Sequence, residues 1–306
     1  MALTYDQISA ITEKNFIKKL VDNIFRSNVL TERMLRKNTV KLAGGERIVQ
    51  PVMYAQSSSD VWFQGAETLN TTDVEQFSAF EFLWKQAQVP ISITRLDELK
   101  NSGDQAKLNF VKEKVNSAEM TLKQAIGDAM YNSGTDPKQI VGLLSAVAAS
   151  GTYGGVSRSE NSWANAQLDS STTTLSIAHL QSQWGAASID ADTPTITVTT
   201  QAIYNRYYGQ LQPQQRFQDS DTAKGGFISL MFNGAPFVVD HKVPTSNLLM
   251  LNENYLYLAI HKDEAFRFRK FMDESKQAVM TARIFFAGNL VCSNPRMQAR
   301  SSALTS

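Results

Sequence analysis

No lysine or arginine occurs between residues 48 and 84, although Asp60, Glu67, Asp73, Glu75 and Glu81 all lie inside that stretch. One long amphipathic pattern follows directly. Two runs of strand character, residues 47–53 and 76–94, flank a polar segment at 55–73, so the stretch reads as a β-hairpin with a long tip. A two-stranded ribbon is at best marginally stable alone in water. This one also carries Trp62, Phe63, Phe77, Phe80, Phe82 and Trp84 with no basic side chain among them. It therefore needs another surface, and the expectation is a second copy of the same chain.

The segment ahead of the ribbon has the opposite charge. Residues 1–47 hold Lys14, Lys18, Lys19, Arg26, Arg33, Arg36, Lys37, Lys41 and Arg47 against fewer acids. Complementary potentials on adjacent segments fix register between copies more than they add affinity. Over all 306 residues the charges nearly cancel, at +1, which gives no bulk attraction to nucleic acid or acidic membranes. Hydrophobic content of 42% and charged content of 19% mark a folded chain, long enough for one large domain or two ordinary ones. The single cysteine, Cys292, excludes an intrachain disulfide and suits a reducing compartment. The first residues lack a leader pattern, and the best apolar run, 140–149, is far short of the ~20 residues that span a bilayer. The expectation is a soluble, non-exported chain.

Residues 4–25 place Ile8, Ile11, Phe16, Leu20, Val21 and Ile24 at helical spacing. An extended link over 28–42 and a Gly44-Gly45 break are expected before the first arm of the ribbon. After the ribbon, Ser102-Gly103-Asp104-Gln105 has the form of a capping box. Leu108, Val111, Val115, Ala118, Leu122, Ala125 and Ala129 then repeat at three and four, predicting one helix over 102–132 closed by Gly134. Such a helix is ~45 Å long, the length of a structural brace. A short apolar helix is predicted over 139–147, then a glycine- and serine-rich loop over 149–171. Helices at 174–184 and 200–211 enclose a strand at 195–198. Residues 212–226 read as a loop. Asn233-Gly234 is a strong hairpin signal between strands at 227–232 and 236–239. The last third is strand-rich: 248–251, 255–260, 266–270, 279–286 and 289–292, with a break at Gly288 between the last pair, then 296–304.

Catalytic and metal-binding patterns are sparse. His179, His241 and His261 lack zinc-ligand spacing. Asp240-His241-Lys242 is the nearest approach to an acid–base cluster, but neighbours on a strand point to opposite faces. Cys292 lies in an apolar run without a basic neighbour and reads as buried filler. No phosphate-loop or GxGxxG pattern occurs. The pairs Asp190/Asp192 and Asp219/Asp221 could hold calcium with other oxygens, though loop acids are usually just solvated. Phe266, Phe268 and Lys270 alternate with Arg267 and Arg269, as a half-buried strand does, which is favoured over a basic-aromatic contact to nucleic acid by the run 266–271. No catalytic residue, metal site or cofactor is expected.

The order of these elements, with the strings Ile140-Val-Gly-Leu-Leu-Ser-Ala-Val, Tyr153-Gly-Gly-Val-Ser-Arg158 and Gly288-Asn-Leu-Val-Cys-Ser-Asn-Pro-Arg296, resembles the major capsid proteins of tailed bacteriophages, the Hong Kong 97 fold. The resemblance runs across nearly the whole chain. It implies an α+β fold with an N-terminal arm (1–46), an extended β-hairpin loop (47–97), a peripheral domain with a long spine helix (98–137), a central α/β axial domain (138–250) and peripheral return strands (251–306). It also implies a structural, non-enzymatic protein that self-assembles into pentamers and hexamers of an icosahedral shell around phage DNA. Partners would be further copies, a scaffold protein, a portal and a decoration protein, with weak, sequence-independent DNA contact and no membrane. The location would be the virion, after assembly in the host cytoplasm.

On the same resemblance, inter-subunit contacts fall to Trp62, Phe63, Glu67, Asp73 and Glu75 of the loop and to Lys18, Lys19, Arg33 and Arg36 of the arm. Trp62 and Phe63 would be the anchors, because interface energy concentrates in a few buried aromatics. Arg216, Asp219 and Asp221 fall on the axial tip, in the loop 212–226, with 188–193 beside it. Two features differ from some members of the family. The long helix begins too early to follow a fused scaffolding domain. The loop tip has no lysine for the self-made lysine–asparagine weld of some relatives, and Lys85 lies at the ribbon's base. The alternatives are an encapsulin-type compartment, an α/β enzyme with a site near Asp240 and His241, and an attachment module.

Overall fold

The computed structural model describes residues 29–56, 62, 64–66, 74–100, 104–211, 230–274 and 278–305, with backbone alone for residues 32, 35, 36, 98, 99, 104–109 and 123. The helix expected over 4–25 lies outside the described residues. Helix α1 (Val29–Lys37) and strand β1 (Thr39–Leu42) precede the ribbon strands β2 (Ile48–Met53) and β3 (Phe77–Phe82). Then come β4 (Lys85–Thr94), α2 (Arg95–Lys100), α3 (Asp104–Met130) and a single turn, α4 (Leu143–Ala146). The short strands β5 (Thr152–Tyr153), β6 (Val156–Ser157), β7 (Gln167–Asp169) and β8 (Thr173–Thr174) lead to α5 (Ile177–Ala186), β9 (Ile196–Thr199) and α6 (Gln201–Leu211). Strands then dominate: β10 (Leu230–Phe232), β11 (Ala235–Val239), β12 (Leu248–Leu251), β13 (Leu256–His261) and β14 (Arg267–Asp273). The chain ends on β15 (Val279–Cys292), β16 (Ala299–Ser301) and β17 (Leu304–Thr305).

The expected brace helix is α3, 27 residues and so ~40 Å long. It buries Val111, Val115, Ala118, Leu122, Ile126 and Met130, each 6% exposed or less. The stripe thus leaves the expected path at its end: Ile126 and Met130 face inward, while Ala125 is exposed. Larger side chains gain more from burial than alanine does, so they set the rotation. Beneath α3 lies a five-stranded sheet in which β15 pairs with β4, β13 and β14, and β1 joins β13 in parallel.

Four expectations are corrected here. The extended link 28–42 is instead α1 and β1, held by Leu30 and Met34 at 1% exposure each. The ribbon's second arm is two strands: β3 pairs with β2 from Phe77↔Met53 to Phe82↔Ile48, whereas β4 pairs with β15 from Lys85↔Gly288 to Thr94↔Val279. Ile91 and Ile93, both 2% exposed, carry β4 into the core. The helix at 139–147 shrinks to α4 because the Val141 amide donates to the Asn289 side chain, 2.8 Å away, rather than to a helical carbonyl. Gly288 does not break the strand. β15 runs through it, and a Cβ there would stand 2.6 Å from the Ala259 carbonyl oxygen of β13.

A six-stranded sheet, ordered β10-β11-β9-β12-β16-β7, forms the second layer. Its Asn233-Gly234 turn has φ of 47° and 85°, the left-handed pair that a tight hairpin needs. One face of β12, Leu249 and Leu251, joins the larger apolar core with α3. The other, Leu248 and Met250, joins a second core under α5 and α6. Burial on both faces explains why residues 248–251 are apolar without alternation. Among the described residues no helix is long and apolar enough to cross a membrane.

Candidate inter-subunit site

Alternation along the ribbon divides its side chains between two faces. Ile48, Phe80 and Phe82 point into the chain's own core at 2%, 0% and 3% exposure, and Val52 packs with them. On the other face Val49, Met53 and Phe77 are 55%, 67% and 67% exposed, with Met53 directly opposite Phe77 and Pro51 opposite Ala79. The ribbon is therefore not the wholly unsupported finger that its sequence led us to expect. Phe80 and Phe82 are core residues of this chain. Trp84 also packs on that core, and its indole donates to the Gly45 carbonyl. Glu81 is not without an offsetting charge, because Arg47 meets it at 2.6 Å across the ribbon's root.

The expected contact residues fall in three groups. Trp62 is 94% exposed, and Glu75 is exposed as well. Phe63, Glu67, Asp73, Lys18, Lys19, Arg216, Asp219 and Asp221 lie outside the described residues, as does the side chain of Arg36. Arg33 is engaged within the chain: its Nε and Nη2 donate to the Glu253 carboxylate at 2.7 and 2.6 Å. Thr195 donates to the same carboxylate at 3.0 Å, and the Asn38 amide donates to the Glu253 carbonyl. Arg33 thus fastens α1 to the turn before β13. Of the outward strip of Val49, Met53 and Phe77, the sequence marks Phe77 as one of the ribbon's aromatics, while Val49 and Met53 show only as part of a period-two alternation.

Other polar clusters are structural. Asp240 is buried, accepts the Tyr131 hydroxyl at 2.7 Å and accepts the Lys242 amide at 2.9 Å, while Lys242 Nζ reaches Asp128 at 2.6 Å. Hollows of about 430 Å3 beside β14 and about 360 Å3 beside the end of α3 are lined by neither Asp240 nor His241. Asp192 accepts from Asn252 at 2.7 Å and Tyr255 at 2.5 Å, so its oxygens are engaged by protein donors. No group of three metal-ligating side chains occurs among the described residues. His179 lies 2.9 Å from the Ser301 hydroxyl and 3.6 Å from Asp169. That order mimics a hydrolytic triad, but the outer gap exceeds a hydrogen bond, and Ser301 is only 2% exposed. The set ties α5 to β7 and β16. Burial pushes the Cys292 thiol up to about 12, as inert core filler should behave.

No protein-family model matches the chain. No curated protein matches it in sequence. Solved structures do match. The capsid asymmetric unit of cyanophage A-1(L) is 15% identical, over 91% of this chain and 93% of that one, with a TM-score of 0.69. A structure titled for Mycobacterium phage Bobi matches over 89% and 90%, at 11% identity and a TM-score of 0.59. The holo-SrpI encapsulin complex of Synechococcus elongatus PCC 7942 matches over 91% and 89%, at 12% identity and a TM-score of 0.57. At such identities the likeness is one of fold. The fold is the α+β Hong Kong 97 capsid fold expected from the order of elements.

Proposed function

We propose that the protein is a major capsid protein that self-assembles into the pentamers and hexamers of an icosahedral shell around phage DNA. One observation carries this reading: a likeness to a cyanophage capsid subunit that spans more than nine-tenths of both chains. In that reading residues 1–46 are the N-terminal arm and 47–97 the extended loop, with β4 already belonging to the peripheral sheet. Residues 98–137 and 251–306 make up the peripheral domain with α3 as its spine, and 138–250 the axial domain. Each copy offers its ribbon and receives another, a head-to-tail contact that closes into rings when the rotation permits. The strip of Val49, Met53 and Phe77 then joins Trp62 and Phe63 as the apolar area of that contact, with Glu67, Asp73 and Glu75 supplying its charge. Lys18, Lys19 and Arg36 serve the arm, and Arg216, Asp219 and Asp221 the axial tip.

The role is structural, without catalysis or cofactor. Its partners are further copies, a scaffold protein, a portal and a decoration protein, with weak contact to packaged DNA. The shell is built in the host cytoplasm and ends in the virion. A second reading, an encapsulin-type compartment, is favoured by the matched encapsulin complex. Size-exclusion chromatography and negative-stain microscopy of the purified protein test both against a monomeric enzyme. Megadalton shells or five- and six-membered rings are expected; a stable monomer or dimer at high concentration would falsify the shell reading. Nucleic acid inside shells isolated from lysates supports a capsid, and a co-purifying protein cargo supports a compartment.

A further inference from the structure

We infer that the Tyr153-Gly154 turn and Trp163 form a socket that sets the ribbon's direction within the single protomer, before any neighbouring copy arrives. The inference goes beyond the shell reading and concerns the protomer alone. Gly44 and Gly45, with φ of 139° and 121°, stand at the ribbon's root and look like a pivot. The surrounding contacts close that pivot. Phe80 meets Tyr153 edge-on at 5.3 Å and Trp163 at 5.5 Å, and Phe82 meets Tyr153 at 5.2 Å. Just past β2, Tyr54 stacks on the same Trp163 at 5.1 Å and 13°. One indole therefore holds both strands of the ribbon. The backbone is tied as well, since the Glu81 amide donates to the Gly154 carbonyl at 2.8 Å. Gly154 has φ of 54°, and a Cβ there would lie 2.7 Å from Phe80 Cβ, so the fit requires a residue without a side chain.

The socket is itself rigid. Arg158, 2% exposed, donates to the carbonyls of Ser145, Ala146, Ser150 and Ala164, and its guanidinium lies 5.0 Å from the Tyr153 ring centre. The Tyr153 hydroxyl accepts the Cys292 amide of β15 at 2.9 Å. Beyond the socket, Tyr257 donates to Gln50 at 2.7 Å, and Asn289 donates to the Leu83 carbonyl at 2.9 Å, where the ribbon's second strand ends. These ties reach both strands from independent directions. The outward strip is thus aimed by the chain itself, which lowers the ordering cost of association, the general benefit of preorganisation.

Hydrogen exchange on unassembled protomers tests the socket, with the amides of residues 282–291 in β15 as the internal control. In the wild type, residues 48–53 and 77–82 should be protected in the dilute protomer. Trp163→Ala should speed their exchange by about tenfold or more while leaving β15 unchanged, and Trp163→Phe should restore most of the protection. Should Trp163→Ala loosen β15 too, Gly154→Ala, which adds one methyl against Phe80 and removes no core ring, takes its place with the same expected pattern. Free-peptide exchange of the wild-type ribbon, or ribbon protection untouched by both substitutions, overturns the socket. Assembly scored on the same samples is a separate outcome: a protected ribbon without shells sinks the shell reading and leaves the socket standing.

Discussion

Glu253, 4% exposed, shows how one buried charge is kept. Burial pushes its carboxyl up. The Arg33 guanidinium, through hydrogen bonds and charge, together with Thr195, more than reverses that and holds the group below the ordinary carboxylate value. Arg33 in turn is raised, chiefly by its hydrogen bond to Glu253. A depressed carboxyl contributes stability that is fully present above its unfolded value of about 4.3 and is lost as pH falls through the folded value. Glu253→Gln should therefore cost about 1–3 kcal/mol near neutrality, less than the penalty for breaking a fully buried pair because the Arg33 side chain is 31% exposed. It should also flatten the acid limb of the stability curve. Urea denaturation midpoints between pH 3 and 7 check this; parallel acid limbs in wild type and variant would remove Glu253 from the account.

At the scale of elements, β15 organises the five-stranded sheet. β15 pairs with three others, and Gly288 lets it run past β13 without a break. Gly288→Ala forces a methyl against the Ala259 carbonyl oxygen, and overpacking of this kind costs about 1–3 kcal/mol; chemical denaturation measures it, and an unchanged midpoint would mean that β13 moves aside freely. The ribbon's outward strip should behave in the opposite way. Met53→Ser with Phe77→Ser should change protomer stability by less than about 1 kcal/mol, because both side chains are already in solvent, yet abolish assembly seen by microscopy. Shells at wild-type yield and salt resistance would show that the strip is not a contact. Fixing a residue's backbone costs roughly 1–2 kcal/mol. For β2 and β3 that cost falls on folding rather than on association, so each contact of the proposed shell would lose less than one made by a free ribbon.

At the scale of the whole molecule, the six-stranded sheet is shared between two apolar cores, and α3 with the five-stranded sheet closes the larger one. The Tyr131–Asp240 bond and the Lys242–Asp128 ion pair join the end of α3 to the region after β11. The stretch 48–84 has no lysine, and Lys85 Nζ is bound to the Pro137 carbonyl. The shells proposed above should therefore run as single subunits on a denaturing gel. Ladders of covalent multimers would overturn that expectation.

By itself the sequence determined the periodicities: a three-and-four stripe for α3, alternation in the ribbon, the Asn233-Gly234 hairpin, and an order of elements that matched the Hong Kong 97 fold. These are local properties, dictated by which face of an element is apolar. The regular alternation expected at 266–270 is broken in β14 by a bulge between Arg269 and Met272, which buries Phe268 and Phe271 instead. Only the tertiary structure decided which surface each face meets. Nothing near residue 80 says that Phe80 lies against Tyr153, or near residue 33 that Arg33 lies against Glu253. Nor does residue 141 announce that its amide belongs to Asn289. Splitting 76–94 into two strands, and turning half of the ribbon inward, followed from long-range partners. A buried side chain is placed by the neighbours that keep water from it, and those neighbours lie far away along the chain.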